Sequence, residues 1–190
     1  MSIYGVYKNA RNAAWQCLID YKITSLPVDL LAICKEAGIK VLKNSDVNEL
    51  IGCESGICIY EGGEWFLIYD DECNIGRRRF TIAHELGHIF LGHKLFDGYH
   101  GRSFNILKPQ VETEADIFAS RLLAPACVLW GLKISFAEDI ARVCNISISA
   151  AKIRAERMKT LYERNKFLTH PLERRVFEQF KPFIYGTDKK

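Results

Sequence analysis

The residues that most constrain what this chain can fold into are His84-Glu85-Leu86-Gly87-His88. The H-E-x-x-H spacing has chemical meaning on a helix. Residues four apart on a helix are about 40° from eclipsed, so both imidazoles project from one face. They can close on one tetrahedral ion, with zinc the default for such a nitrogen pair. Glu85 lies about 100° round the helix, beside the ion rather than bound to it. There it can take a proton from a water that the ion has made more acidic. Ile82, Leu86 and Ile89 fall on the side opposite the histidines and form a buried stripe behind them. Gly87, beside the ligand face, keeps that approach open.

A third ligand is required. One known arrangement places a histidine six residues after the second, but that position is Lys94, and Leu91 stands where its glycine belongs. On a continued helix His93 is one residue out of register and points about 140° from His88. That arrangement is excluded. Glu112-Thr113-Glu114-Ala115-Asp116 offers another, with Glu112 and Asp116 on one face of a second helix. Glu112 can ligate the ion while Asp116 accepts the free N–H of a ligating histidine. Glu114, about 200° from Glu112, reads as a solvent-facing charge. Tyr99 and His100, in the connection between the two helices, can steady a developing oxyanion, although such loop residues are more often plain surface.

The remainder of the chain reads as one compact, α+β protein. Apolar periodicity marks helices over 10–21 and from Leu30 to a stop at Gly38, followed by a strand over 39–42. Residues 56–60 and 65–69 are β-favouring runs joined by Glu61-Gly62-Gly63-Glu64, a hairpin signal. Helices are expected over 79–93 and 111–123. Past Pro125 the pattern is all-helical, over 136–143, 148–165 and 172–180. The expected organisation is a core over 1–128, with a small sheet packed on the metal-binding helix, and a helical extension over 129–190 packed on that core.

Several function classes are excluded by composition. A net charge of +3 is too small to argue for nucleic-acid or membrane binding. No stretch approaches the roughly 20 apolar residues of a membrane span, and no leader is legible at the N-terminus, so a cytoplasmic protein is expected. Seven scattered cysteines without a C-x-x-C pair read as free thiols in a reducing compartment. Residues 140–154 read like a helix-turn-helix, with Asn145 ending one helix and Ser147 capping the next. Lys152, Arg154 and Arg157 are the basic residues that a DNA-reading second helix would want. The simpler reading is a helical hairpin packing on the core or holding a substrate protein, which makes direct nucleic-acid binding the weaker expectation.

Arg79-Phe80-Thr81-Ile82-Ala83-His84-Glu85-Leu86-Gly87-His88 resembles the signature of the ImmA/IrrE family of metallopeptidases. Glu112-Thr113-Glu114-Ala115-Asp116-Ile117-Phe118-Ala119-Ser120-Arg121-Leu122-Leu123-Ala124-Pro125 is similar to that family's second block, and Pro27-Val28-Asp29-Leu30 with Ala37-Gly38-Ile39 to its N-terminal part. The resemblance implies a zincin core binding one zinc ion through His84, His88 and an acidic third ligand, with Glu85 as general base. It also implies a cytoplasmic endopeptidase that cleaves a helix-turn-helix transcriptional repressor, often encoded beside it on a mobile element or stress locus, and so relieves repression. Two departures stand out. Asp116 occupies a position where many members carry Asn, and Ala124 replaces a common Met. Two other classes compete: a zinc-stabilised anti-repressor that acts by contact without proteolysis, and a DNA-binding regulator built on 136–160.

Overall fold

The computed structural model describes the backbone of residues 3–93 and 109–186 and the side chains of 9–93 and 110–186. In chain order the elements are α1 (Ile3–Asp20), α2 (Leu30–Glu36), β1 (Ile39–Lys43), α3 (Asn44–Val47), β2 (Gly56–Glu61), β3 (Glu64–Tyr69) and α4 (Ile75–Phe90). These are followed by α5 (Pro109–Leu123), α6 (Ala126–Gly131), α7 (Ala137–Cys144), α8 (Ile148–Glu163) and α9 (Pro171–Tyr185). The α+β plan expected from the sequence is the plan observed. The chain gathers into two compact units, residues 1–13 with 30–119, and residues 14–29 with 120–190.

The first unit holds the sheet. Its order is β1-β3-β2, with β1 parallel to β3 and β2 antiparallel to it. The β2–β3 hairpin closes through Gly62 and Gly63, whose φ values of 60° and 85° explain why two glycines stand there. Leu67 and Ile68 on the central strand, with Ile57 and Cys58 on β2, are buried, and α4 lies against both strands of the hairpin. The Cys58 thiol reaches the Glu85 carbonyl at 3.6 Å, fixing the strand beneath the middle of α4.

Helix α4 starts four residues earlier than periodicity alone indicates. Asn74 caps it, its side chain accepting from the Arg77 N–H at 3.0 Å. The buried stripe behind the histidines holds for Ile82 and Leu86, whereas Ile89 is only half-buried. Gly87 has a different role from the one its sequence position suggested. A Cβ there would stand 3.1 Å from Ala115 Cα, 3.3 Å from Ala115 O and 3.2 Å from Phe118 Cδ1. The missing side chain therefore lets α5 lie directly on α4, where Phe90 and Phe118 also meet at 6.0 Å between centroids.

The second unit is helical. Helix α6 was not expected from periodicity; it is a six-residue turn of chain between Pro125 and Leu132, too short to show a period. Helix α9 runs on past Phe180, through Pro182, to a left-handed C-terminal Gly186. The Gln179 amide donates to both the Leu18 and Ile23 carbonyls at 2.7 Å, satisfying backbone oxygens at and beyond the end of α1. In the hairpin of α7 and α8, Asn145 takes φ 51° and the Ser147 hydroxyl accepts from the Ala150 N–H at 3.2 Å. Arg154 is 2% exposed, so it is not among the basic residues α8 offers to solvent.

Substituting Gly87→Ala sets two effects against each other. Helix propensity favours alanine by about 1 kcal/mol, but the added Cβ meets backbone that cannot swing aside, and overpacking of that kind costs about 1–3 kcal/mol. The expected outcome is a lower urea midpoint for the metal-free protein. A midpoint equal to or above wild type would show that the interface has room to spare.

Candidate metal centre

Two helices supply the site. From α4 come His84, Glu85 and His88; from α5 come Glu112 and Asp116, one turn apart on the face that the Gly87–Ala115 contact brings against α4. His84 Nε2 and His88 Nε2 stand 3.0 Å apart. Glu112 completes a triangle, Oε2 at 3.2 Å from His84 Nε2 and Oε1 at 3.5 Å from His88 Nε2. Bonds of about 2.0–2.1 Å to a tetrahedral ion imply ligand separations of roughly 3.3 Å; the two imidazole nitrogens, and each of them with the Glu112 oxygen facing it, stand near that value. Among the described residues, these three are the group of His, Cys, Asp or Glu side chains whose ligand atoms all lie within 4.8 Å of one another. Two imidazole nitrogens and a carboxylate oxygen are a donor set for a borderline divalent cation.

The nitrogens facing away from this triangle are held as well. His84 Nδ1 stands 2.9 Å from Asp116 Oδ1. A carboxylate there takes the Nδ1–H and leaves the Nε2 lone pair to the ion, which fixes both tautomer and ring orientation. Burial alone would lower the His84 pKa, but hydrogen bonds to Asp116 and Glu112 outweigh it and push the metal-free imidazole up to about 9. Hydrogen bonds from His84 and then from His88 hold the Glu112 carboxyl far below the usual carboxylate range. The two histidines are well covered, while Glu112 and Asp116 remain 45% and 59% exposed, so the centre is backed by protein on the α4 side and reached from the α5 side.

Glu85 is 7% exposed and sits over the start of β2. A Cβ on Gly56 would approach Glu85 Cγ to 3.5 Å and Thr81 Cγ2 to 2.3 Å. The contact with Glu85 is an ordinary one, and it is the close approach to Thr81 that any side chain at 56 would disturb.

Two residues join the site that the sequence did not assign to it. His93 Nδ1 lies 3.1 Å from His88 Nδ1, and His93 Nε2 lies 2.9 Å from Glu114 Oε2. Glu114 is therefore no solvated helix charge; its side chain is 15% exposed and engaged. Extending α4 past residue 90 misplaced His93, because the helix stops there. Glycine just beyond a helix end was the available signal. Tyr99 and His100, candidates for oxyanion support, lie outside the described residues.

Comparison with known proteins accords with this geometry. The sequence profile of a peptidase family described as the IrrE N-terminal-like domain matches residues 34–156. The chain is also 34% identical over 92 residues to the protein named Metallopeptidase ImmA from Bacillus subtilis (strain 168). That alignment spans 48% of this chain and 51% of the relative, about half the length of each.

Removing a member of the triangle and removing its support are expected to differ in size. His84→Ala, His88→Ala and Glu112→Ala should each abolish stoichiometric binding of a divalent ion in a chelator-competition titration. Asp116→Ala should keep the stoichiometry and weaken affinity about 10–100-fold. Wild-type affinity in Asp116→Ala would show that the carboxylate does not orient His84.

Proposed function

The chain belongs to the ImmA/IrrE family of metallopeptidases, and on that premise we propose that it is a zinc-dependent endopeptidase of the cytoplasm. Its proposed substrate is a helix-turn-helix transcriptional repressor, whose cleavage relieves repression of a mobile-element or stress-response locus. The observation that carries the reading is the convergence of His84 Nε2, His88 Nε2 and Glu112 beside a buried Glu85. Zinc is the ion favoured by a pair of imidazoles with one carboxylate.

His84, His88 and Glu112 would hold the ion. When bound, it supplies a positive charge that acidifies water and polarises a peptide carbonyl. Asp116 keeps the His84 ring turned with Nε2 toward the centre. Glu85, next in sequence to His84 and outside the triangle, is the carboxylate to which we assign the general-base role, accepting a proton from the attacking water and returning it to the leaving amine. Its burial favours that exchange, since a carboxylate largely shielded from bulk water acts on the proton in front of it.

Several features support a protein substrate over nucleic acid or a membrane. The loss of Arg154 to the interior leaves α8 with fewer outward cations than its sequence promised. Among the described residues no helix is long and apolar enough to cross a membrane. The relative's name, a metallopeptidase, agrees with hydrolysis of a peptide bond.

The decisive variant is Glu85→Gln, which keeps the shape of the side chain and removes its basicity. Purified protein loaded with zinc should shorten the repressor encoded beside it, followed by mass spectrometry. Glu85→Gln should retain zinc and slow that cleavage by at least about 100-fold. Undiminished derepression by Glu85→Gln, with the repressor left at full length, would point instead to an anti-repressor that acts by contact.

A further inference from the structure

The Nδ1 of His84 faces the Asp116 carboxylate, whereas the Nδ1 of His88 faces a second histidine. Helix α4 ends in two characteristic backbone bonds: Gly92 N–H to the Ile89 carbonyl at 3.1 Å and His93 N–H to the His88 carbonyl at 3.0 Å. With Gly92 at φ 71°, this is the glycine-terminated reversal in which the second residue past the C-cap residue Leu91 folds back over the last helical turn. The residue folded back is His93, and the residue it lands on is His88. Their rings meet edge to face, centroids 5.1 Å apart at 71°.

The geometry points to His93 and Glu114 as a positioning relay that fixes the tautomer and orientation of His88 for metal binding. The inference rests on the triangle being a metal centre. Hydrogen-bond accounting leaves one consistent assignment. If His88 Nε2 gives its lone pair to the ion, Nδ1 must carry the proton. That N–H then donates to His93 Nδ1, 3.1 Å away, which must be the unprotonated nitrogen of a neutral ring. His93 therefore carries its own proton on Nε2, 2.9 Å from Glu114 Oε2, and an ionised carboxylate accepts it. Every nitrogen of the three rings is used once: two on the ion, and the rest in chains ending on Asp116 and Glu114.

The chain has the burial such a relay needs. The His93 side chain is 6% exposed, so water does not compete well for His88 Nδ1–H. Glu114 projects from the same helix as Glu112, two residues on, but toward the other end of the site. One short stretch of α5 thus supplies a ligand and the ends of both supporting chains: Glu112 to the ion, Asp116 to His84 and Glu114 through His93 to His88. A ligating histidine whose partner is removed typically loses 10–100-fold in metal affinity. A relayed partner is expected at the lower end of that range.

The test uses the full-length protein stripped of metal and titrated with zinc against a chromophoric chelator. Wild type should bind one equivalent. His93→Leu, which keeps bulk but offers no acceptor, should bind about tenfold more weakly. His93→Asn, whose Oδ1 can still accept from His88 Nδ1–H, should recover most of that loss, and Glu114→Gln should fall between wild type and His93→Leu. In 15N-resolved imidazole spectra of the zinc-loaded protein, the His88 Nδ1–H proton should be protected from exchange in wild type and exposed in His93→Leu. Equal weakening by His93→Leu and His93→Asn would overturn the relay, since only packing would then be at stake. So would wild-type affinity in both His93→Leu and Glu114→Gln. If wild type itself binds no zinc, the metal centre fails first and the relay falls with it, a result distinct from both.

Discussion

The contact on which this site depends is the one that contains no side chain: Gly87 against the backbone of Ala115. Helix α4 presents two imidazoles from one face whatever surrounds it, because their spacing ensures that. Nothing on α4 supplies a third ligand. That comes from α5, at a distance set by how closely the two helices approach. An ordinary side chain at 87 would hold α5 off by part of a methyl radius, and the Glu112 contacts of 3.2 and 3.5 Å leave little slack for such a shift. The same proximity lets three acidic residues of α5 reach histidines: Glu112 both His84 and His88, Asp116 the far nitrogen of His84, and Glu114 His93.

The sheet has a humbler part, but the chemistry needs it. Because β2 and β3 pack beneath α4, Glu85 is covered from below while the carboxylates of α5 stay half open to solvent. A site backed by protein on one side and open on the other differs from a closed structural zinc site, which fills all four positions with protein ligands. Three ligand side chains among the described residues, one of them 45% exposed, fit the open kind.

Much of this was legible in the sequence, and the reasons are specific. His84, Glu85 and His88 are separated by fixed helical angles, and the pair Glu112 and Asp116 obeys the same rule on its own helix, so local periodicity carries both halves of the triangle. The hairpin was legible through Gly62 and Gly63, whose positive φ values few other residues tolerate. Periodicity does not report where a helix stops. Projecting α4 onward turned His93 away from His88, whereas termination at Phe90 and reversal at Gly92 brought it back. Glu114 was obscured for a related reason: its angle from Glu112 is correct, but the partner waiting there comes from a turn that periodicity cannot see. The space at Gly87 is likewise a property of two helices together, and either sequence segment alone gives no sign of it.

The support of the two histidines is unequal, and the asymmetry follows from the helix they share. His84 lies in mid-helix, where α5 runs alongside and a carboxylate can reach Nδ1 directly at 2.9 Å. His88 lies in the last turn, where its Nδ1 meets the chain that leaves α4. A glycine reversal at that point places the next residue over the ring, and a histidine there can both accept from His88 and pass the demand on to a carboxylate. The chain thereby answers two needs with one short turn. It satisfies backbone carbonyls at the end of α4, and it sets an acceptor 3.1 Å from His88 Nδ1. The cost is that the turn and the ligand are now linked. Any change that alters how α4 ends also alters how His88 is held, although the altered residue touches neither the ion nor a substrate.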